Sequence, residues 1–482
     1  MSHTEDVRRI VIIGAGPGGL CMAIKLREAG IRDFVILEEA PGLGGTWYHN
    51  RYPGLCCDIP SYLYSFSFEP KRDWSRPYPP QAEILAYLED VAAKYEIVPH
   101  IRFDTKVEAA RWNEESCTWH VSSTRGEFVS RVLISAVGML NTPKWPDIRG
   151  LEAFGGTLLH SARWNSDLDV SGSALAVIGS AATAVQMAPE LAGDVAQLYL
   201  YQRSATWVLP RQNDPFTVEE LARFAHDPDA ALAERERIFN EIDPHITFSN
   251  RQVCELAEAA GLENLSAVED PELRQKLTPR VPWGCQRPLF SNTWFPMFNR
   301  PNVELIVDPI TRITKDSIVS GEGEVRRVDV IVAATGFQAT RFLSTIDVTG
   351  RGGLRLEDAW ADGPEAYLGI ATRGFPNIFM LYGPNTNNGS IITLLEFQVE
   401  YIIRQLARMD AERIKWMEVQ ADVMKRYNEQ LQRDLDAVEV WQASCHNYYR
   451  AGSGRIVTQW PHTMSEYRRR ARRPDPDAYE VG

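Results

Sequence analysis

Two glycine-rich turns are the residues of this sequence whose spacing most clearly predicts chemistry. The first follows an apolar run at 10–13 and reads Gly14-Ala15-Gly16-Pro17-Gly18-Gly19. The second follows an apolar run at 175–178 and reads Gly179-Ser180-Ala181-Ala182-Thr183-Ala184. A strand, a glycine turn and a helix in this order place backbone N–H groups and a helix N-terminus against the pyrophosphate of a dinucleotide. The sequence therefore predicts two dinucleotide-binding units.

A charged residue lies at the same offset after each turn. Counted from the first glycine, Glu38 and Arg203 are both 24 residues further on, from 14 to 38 and from 179 to 203. A carboxylate at that strand end accepts hydrogen bonds from a ribose diol, whereas a guanidinium forms a forked bond to a 2′-phosphate. The first unit is therefore predicted to bind FAD and the second NADPH. In the second, Ala181 replaces the middle glycine, whose missing Cβ normally lets the backbone touch the pyrophosphate.

Composition and charge exclude several classes of protein. The chain has 482 residues, is 44% hydrophobic and carries a formal net charge of −13, which argues against nucleic acid as a partner. The N-terminus has no apolar signal region and no run reaches transmembrane length, so we expect no membrane association and a cytoplasmic location. Seven cysteines contain no CxxC pair, which argues against a metal site and a dithiol redox centre.

The elements that must position these turns predict an α/β fold with two Rossmann-like dinucleotide-binding domains. We expect an FAD-binding domain that begins with residues 1–145 and is completed by 331–482. An NADP-binding domain is expected at 152–330, with a helical insertion at about 215–280, where the sequence turns acidic and helical in period. The apolar strand that ends in Ala334-Thr335-Gly336-Phe337 suits a crossing back to the first domain.

Between the two units lies a longer pattern, FxGxxxHxxxW, formed by Phe154, Gly156, His160 and Trp164. It resembles the signature of the Baeyer-Villiger monooxygenases, a branch of the NADPH-dependent flavoprotein monooxygenases. The family's signature continues with Pro or Asp, and this sequence has Asn165 instead. Further segments similar to the family follow in order along almost the whole chain: Gly44-Gly45-Thr46-Trp47, Cys57-Asp58-Ile59-Pro60-Ser61, Gln202-Arg203-Ser204, Gly284-Cys285-Gln286-Arg287-Pro288, Ala334-Thr335-Gly336-Phe337 and Gly383-Pro384-Asn385-Thr386-Asn387.

The resemblance assigns expected roles to individual residues. It places three catalytic or positioning residues in the site: Arg287 as the active-site arginine, Asp58 beside the flavin ring and His160 in the hinge between domains. The residues that it implies for cofactor binding are Gly14, Gly16, Gly19, Glu38, Gly45, Thr46, Trp47, Asp58, Gly179, Ser180, Thr183, Arg203, Ser204, Thr335, Gly336 and Asn385. Gln286 stands where many relatives carry a lysine near the 2′-phosphate, so we expect a weaker preference for NADPH than Arg203 alone would give.

The activity that the resemblance implies is insertion of one oxygen atom next to a ketone carbonyl, giving an ester or lactone. NADPH would reduce FAD, and the reduced flavin would take up O₂ as a C4a-peroxyflavin. The fixed charge of Arg287 would stabilise the anionic peroxide and its adduct with the ketone, and Asp58 would orient that guanidinium.

Two other activities remain open at this point. The same cofactors could serve oxygenation of sulfur or amine nitrogen, but that reaction has no anionic adduct for Arg287 and Asp58 to stabilise. Alternatively, the protein could be an uncoupled NADPH oxidase or a non-catalytic flavin-binding protein, which the departures Ala181, Asn165 and Gln286 would favour. The substrate and the oligomeric state are not determined by the sequence.

Overall fold

A computed structural model describes residues 7–227, 229–444 and 447–482 of the chain. Its strands, in chain order, are β1 Arg8–Ile13, β2 Phe34–Leu37, β3 Ile101–Arg102, β4 Val107–Asn113, β5 Thr118–Ser123, β6 Gly126–Ser135, β7 Thr157–His160, β8 Ala174–Ile178, β9 Gln197–Tyr201, β10 Val208–Leu209, β11 Leu289–Phe290, β12 Val303–Ile306, β13 Ile310–Ile313, β14 Ser317–Ser320, β15 Glu324–Arg327, β16 Val330–Ala333, β17 Asp347–Thr349, β18 Ile378–Met380, β19 Met417–Val419 and β20 Tyr479–Val481.

The α-helices alternate with these strands in the two dinucleotide-binding units and cluster elsewhere. They are α1 Pro17–Glu28, α2 Thr46–His49, α3 Gln81–Lys94, α4 Ala182–Leu191, α5 Val218–His226, α6 Ala230–Ile242, α7 Arg251–Leu265, α8 Pro271–Leu277, α9 Trp294–Met297, α10 Leu356–Ala359, α11 Ile391–Glu412, α12 Ala421–Asp436, α13 Glu439–Gln442 and α14 Met464–Arg472. Within the described residues, no helix is both long enough and apolar enough to cross a bilayer.

The first sheet has the strand order β17-β4-β5-β6-β1-β2-β3, and β18 also pairs with β6. Its central strand β1 is parallel to β2 and β6, with Ile10 opposite both Phe34 and Val132. Residues 10–13 are all buried, as expected for a strand covered on both faces. β17 and β18 come more than 200 residues after β6, so two distant segments of the chain build this sheet.

The second sheet has the order β12-β9-β8-β16-β7, and every neighbouring pair is parallel. Strand β8 leads into the second glycine turn, as β1 leads into the first. Strand β16 lies between β8 and β7 and ends at Ala333, so this sheet extends three residues beyond the predicted boundary at 330. The fold is therefore α/β, with a mixed first sheet, in which β5 is antiparallel to β4 and β6, and an all-parallel second sheet.

The helices α5–α8 divide their packing between the two cores. Phe224 of α5 and Ile238 of α6 are buried in the core of the first sheet. Leu265 of α7 and Leu277 of α8 are buried in the core of the second sheet. This run of helices therefore links the two sheets, and no local sequence pattern indicates that division. We propose that residues 1–145 and 331–482 form one domain and residues 152–330 the other.

Arg235 of α6 holds the helix against the first sheet's domain. Its guanidinium donates to the carbonyls of Tyr62, Leu63 and Ser65 at 2.6–3.2 Å. It also lies 3.2 Å from Glu396 of α11, and the two side chains are only 11% and 12% exposed. Burial lowers the pKa of Arg235 and raises that of Glu396, although each charge opposes the shift of the other. Removal of one partner would leave the other charge buried and unpaired.

Substitution Arg235→Met should destabilise the docking of α6 by about 3–5 kcal/mol, since a buried charge loses its partner. Arg237→Met is the matched control in the same helix, because Arg237 pairs with Glu234 and Glu241 while its side chain is 59% exposed. Such exposed pairs contribute about 1 kcal/mol or less. Native-state hydrogen exchange of α6 measures both. Equal destabilisation by the two substitutions would contradict the role given to Arg235.

Candidate active site

The first glycine of each turn has a conformation and surroundings that only glycine tolerates. Gly14 has φ +100° and Gly179 has φ +115°. A Cβ at Gly14 would lie 2.7 Å from the carbonyl oxygen of Ala136, and one at Gly179 would lie 2.5 Å from that of Ala334. Ala136 and Ala334 follow the neighbouring strands β6 and β16, so the two turns pack in the same way at the carboxyl ends of their sheets.

The later positions of the turns differ between the two units. A Cβ at Gly19 would lie 2.0 Å from the carbonyl oxygen of Gly14, so this glycine is required by the close packing of helix on strand. At Gly16 a Cβ would meet only backbone atoms of Gly45, the Cα at an ordinary 3.5 Å and the N at 3.9 Å. The protein alone therefore does not require glycine at 16, and the bare backbone there faces the cleft. At the matching position of the second turn, Ala181 is exposed.

Glu38 is buried where β2 ends and is fixed by two backbone donors. Its carboxylate accepts from the N–H of Ala15 at 2.7 Å and from that of Ala40 at 2.9 Å. Burial raises the pKa of Glu38, and these two hydrogen bonds act against that rise. Each oxygen keeps lone-pair capacity for a second donor, such as a ribose hydroxyl.

Arg203, at the matching position of the second unit, has a different environment. Its side chain is exposed to the cleft, and it makes no hydrogen bond or ion pair with the described part of the chain. The adjacent Ser204 accepts a hydrogen bond through its carbonyl from the hydroxyl of Ser180, at 3.2 Å, which ties the strand end to the glycine turn. A free guanidinium is thus presented beside the second turn.

Both turns line one continuous cleft of about 1370 Å³. Pockets for a single small ligand usually have about 300–1,000 Å³, so this cleft has room for more than one group. The predicted site residues that line it are Gly14, Gly16, Glu38, Gly45, Thr46, Trp47, Asp58, Gly179, Ser180, Thr183, Arg203, Ser204, Arg287, Thr335 and Gly336.

Arg287 and Asp58 form an ion pair inside this cleft, although 229 residues separate them in the chain. The Nε and one terminal nitrogen of Arg287 donate to the same oxygen of Asp58, at 2.9 and 2.5 Å. The side chains are 34% and 28% exposed, so both face the cleft. The Asp58 carboxylate holds the pKa of Arg287 well above its usual range, and the hydroxyl of Tyr448 also hydrogen-bonds to the guanidinium. The result is a permanent positive charge held in one orientation.

His160 does not line the cleft but packs against the two chain segments near Lys144 and Gly336, which are hydrogen-bonded to each other. It ends β7, is 1% exposed and makes edge contacts with the rings of Trp145 and Phe337. Its Nδ1 accepts from the N–H of Ala162 at 3.1 Å, so the proton of the neutral ring is on Nε2. Burial lowers the pKa of His160 and favours this neutral form.

Two further predicted residues are not brought to the cleft surface. Gly19 instead packs against the carbonyl of Gly14 within the first turn. Asn385 is buried, and its amide donates to the carbonyls of Ile456 and Gln459 at 2.9 and 3.0 Å. Thr335 lies at the cleft, but its hydroxyl donates to the carbonyl of Lys144 and so joins the segments near residues 144 and 336.

The structure adds cleft residues that the sequence reasoning missed. Tyr64 accepts a hydrogen bond from the indole of Trp47 at 3.1 Å, and the two rings meet edge to face at 5.6 Å. Gln186 of α4 donates to the carbonyl of Cys56 at 3.0 Å, which joins the second unit to the segment before Asp58. Neither pair has a recognisable sequence signal, because each joins side chains through tertiary contact alone.

Comparisons with known proteins agree with this geometry. A family model described as pyridine nucleotide-disulphide oxidoreductase matches residues 11–226. A Baeyer-Villiger monooxygenase of Pseudomonas aeruginosa is 39% identical over 98% of this chain and 91% of its own. A cyclohexanone monooxygenase from Rhodococcus sp. Phi1, bound to NADP⁺, is similar with a TM-score of 0.89 and 30% identity over 99% of each chain. The structure of the OTEMO complex with FAD and NADP gives 0.87 at 30% identity, covering 98% of this chain and 99% of the other.

The buried neutral His160 should make stability depend on pH. Below its usual pKa of 6.5 the unfolded chain binds a proton there, while the folded chain resists protonation because its pKa is lowered. The stability is therefore full above about pH 6.5 and is lost as pH falls through the lowered folded pKa. His160→Asn keeps an acceptor for the N–H of Ala162 but cannot titrate. Unfolding temperatures measured from pH 7.5 to 5 should fall less steeply for the variant; parallel curves would contradict this role.

Proposed function

The chain belongs to the Baeyer-Villiger monooxygenases, and we propose that it uses FAD, NADPH and O₂ to convert a ketone into an ester or lactone at the cleft that holds Arg287 and Asp58. The observation that carries this proposal is the fixed, fully charged guanidinium of Arg287 in a cleft shared by both dinucleotide turns. The family's flavin, reduced by NADPH, supplies the activation of O₂.

The residues present fit both cofactors. FAD would be held at the first turn, where Gly16 leaves bare backbone toward the cleft and the fixed carboxylate of Glu38 offers acceptors for a ribose diol. Gly45, Thr46 and Trp47 line the adjoining part of the cleft. NADPH would be held at the second turn, where the exposed guanidinium of Arg203 offers a partner for the 2′-phosphate.

Arg287 would act on the negative charge that develops on oxygen during the reaction. A guanidinium that Asp58 has already oriented needs little reorganisation at that moment, which is the source of electrostatic catalysis. Asp58 would serve as the positioning residue, because both of its observed bonds run to one edge of the guanidinium, and N–H groups beyond these and the one bonded to Tyr448 stay available. Oxygenation of sulfur or nitrogen would not need this charge, so the pair favours the ketone reaction over the heteroatom reaction.

The experiment that tests the function measures NADPH consumption, oxygenated product and H₂O₂ together over cyclic ketones, linear ketones and thioethers. We expect ester or lactone in proportion to NADPH for at least one ketone. Sulfoxide without ester would favour the heteroatom reaction, and H₂O₂ alone with every compound would indicate an oxidase. A cytoplasmic location, the lack of nucleic-acid and membrane partners and the hinge role of His160 stay predictions.

Arg203→Ala should weaken the use of NADPH far more than that of NADH, because only NADPH has the 2′-phosphate. Loss of a charge-assisted hydrogen bond of this kind costs about 1.5–3 kcal/mol, which corresponds to about 10- to 100-fold in KM. The unmodified protein should prefer NADPH. Steady-state kinetics with both nucleotides on both proteins provide the comparison, and an equal effect on the two nucleotides would show that Arg203 does not contact the phosphate.

Arg287→Ala should abolish ester formation in routine assays without loss of FAD. Removal of one such electrostatic stabiliser typically lowers the rate by about 10²- to 10³-fold. Arg287→Lys is the matched variant, because it keeps the charge but loses the forked contact with Asp58, and we expect an intermediate rate. The flavin absorbance per chain, the NADPH consumed and the ester formed are measured together. An Ala variant with an unchanged yield of ester per NADPH would reduce Arg287 to a structural ion-pair partner.

A further inference from the structure

A cluster of contacts joins helix α4 of the second unit to the chain segment that precedes Asp58. We define this Cys56 clamp by four residues: Tyr52, Cys56, Gln186 and Arg211. The amide nitrogen of Gln186 donates to the carbonyl of Cys56 at 3.0 Å and to its sulfur at 3.4 Å. Its amide oxygen accepts from the hydroxyl of Tyr52 at 3.1 Å. The side chain of Gln186 is thus hydrogen-bonded to both ends of the short segment 52–56 of the first domain.

Arg211 closes the clamp from the segment that leads into helices α5–α8. Its guanidinium lies 3.1 Å from the sulfur of Cys56 and 3.5 Å from the carbonyl of Cys57. The carbonyl of Cys57 is the last backbone group before Asp58. The clamp therefore reaches the residue adjacent to the carboxylate that orients Arg287.

Gly54 shows how closely this segment approaches α4. It has φ +75°, and a Cβ there would lie 2.4 Å from the carbonyl oxygen of Gln186. Only glycine permits such an approach of one backbone to the other. The helix and the segment are consequently in contact through backbone as well as side chains, and a shift of α4 must be transmitted to this segment or break its hydrogen bonds.

The other end of the same helix face lies at the nucleotide site. Thr183, in the first turn of α4, lines the cleft and hydrogen-bonds to Tyr52. Thr183 and Gln186 are three residues apart and so lie on one face of the helix. A dinucleotide bound at the start of α4 would therefore act on the helix whose next turn holds Cys56.

We propose that Gln186 is a positioning residue that makes the arrangement of Asp58 and Arg287 depend on the nucleotide bound at α4. This inference rests on the proposed function for what Arg287 does, but the mechanical link from α4 to Cys56 stands on its own contacts. NADP⁺ that stays bound would keep the segment 52–58 fixed, and Asp58 would then hold Arg287 in the orientation that directs oxygen to the ketone. Without the link, oxygen activation would continue but more of it would end as H₂O₂.

The test compares Gln186→Leu, which keeps the side-chain volume but removes both hydrogen-bonding ends, with Gln197→Leu as a matched control. Gln197 is the first residue of β9 in the second sheet, and it does not line the cleft. The first readout is hydrogen exchange of a peptide covering residues 52–60, measured with and without NADP⁺ and without turnover. We expect NADP⁺ to slow this exchange in the unmodified protein and in Gln197→Leu, and to have no such effect in Gln186→Leu.

The second readout is the ester formed per NADPH consumed. A net hydrogen bond is worth about 1 kcal/mol, so we expect this ratio, taken against H₂O₂, to fall about fivefold in Gln186→Leu with an unchanged FAD content. Cys56→Ala, which removes the sulfur from both donors and leaves α4 intact, should shift both readouts in the same direction by less. If Gln186→Leu does not fold, Cys56→Ala provides the same two readouts in its place.

Two results would overturn the proposal. Unchanged protection by NADP⁺ in Gln186→Leu would show that the clamp does not link the nucleotide to the segment. Lost protection with an unchanged ratio of ester to H₂O₂ would show that the link does not reach Arg287. If the unmodified protein forms no ester from any ketone, the proposed function fails, whereas the exchange measurement still decides whether Gln186 links α4 to the segment.

Discussion

The packing of a left-handed glycine against the end of a neighbouring strand is the constraint on which the rest of the site depends. At Gly14 and Gly179 the chain turns sharply off a buried central strand, and a side chain at either position would collide with a carbonyl oxygen of the next strand. This turn brings the start of α1 or α4 to the carboxyl edge of its sheet. Because both sheets obey the same constraint, two helix N-termini open into one cleft, where each can offer N–H groups to a pyrophosphate.

Three charged residues of that cleft, those predicted to act on the cofactors or in the reaction, differ in whether the protein gives them a partner. Glu38 is satisfied by two backbone donors, and Arg287 is balanced by Asp58. Arg203 alone among these has no partner in the described part of the chain. An exposed, uncompensated guanidinium suits the capture of a mobile anionic ligand, whereas a paired and oriented one suits stabilisation of charge at a fixed point. The two arginines are therefore fitted to different tasks by their surroundings rather than by their residue type.

Side chains from the second unit and from helices α5–α8 hold the wall of the cleft that contains Asp58. Arg235 docks α6 on the carbonyls of residues 62, 63 and 65, and the Cys56 clamp fixes the chain a few residues earlier. The segment that contains Asp58 is thus held on both sides by groups from beyond residue 180. Since Arg287 also follows the helices α5–α8, its meeting with Asp58 depends on how those helices pack against both cores.

The sequence predicts the two nucleotide units, their likeness to a family and fifteen of the residues that line the cleft. It could do so because these features are local: a glycine turn, the strand before it and the charged strand end lie within about 25 residues. The pairing of Arg287 with Asp58 was reached from the sequence only through resemblance, since nothing local relates residues 229 positions apart. Only the folded chain shows that Asn385 is used in buried packing, that Tyr64 contacts Trp47 and that Gln186 holds Cys56. These contacts depend on how two sheets and four linking helices pack together, and side-chain packing between distant segments leaves no periodic pattern in the sequence.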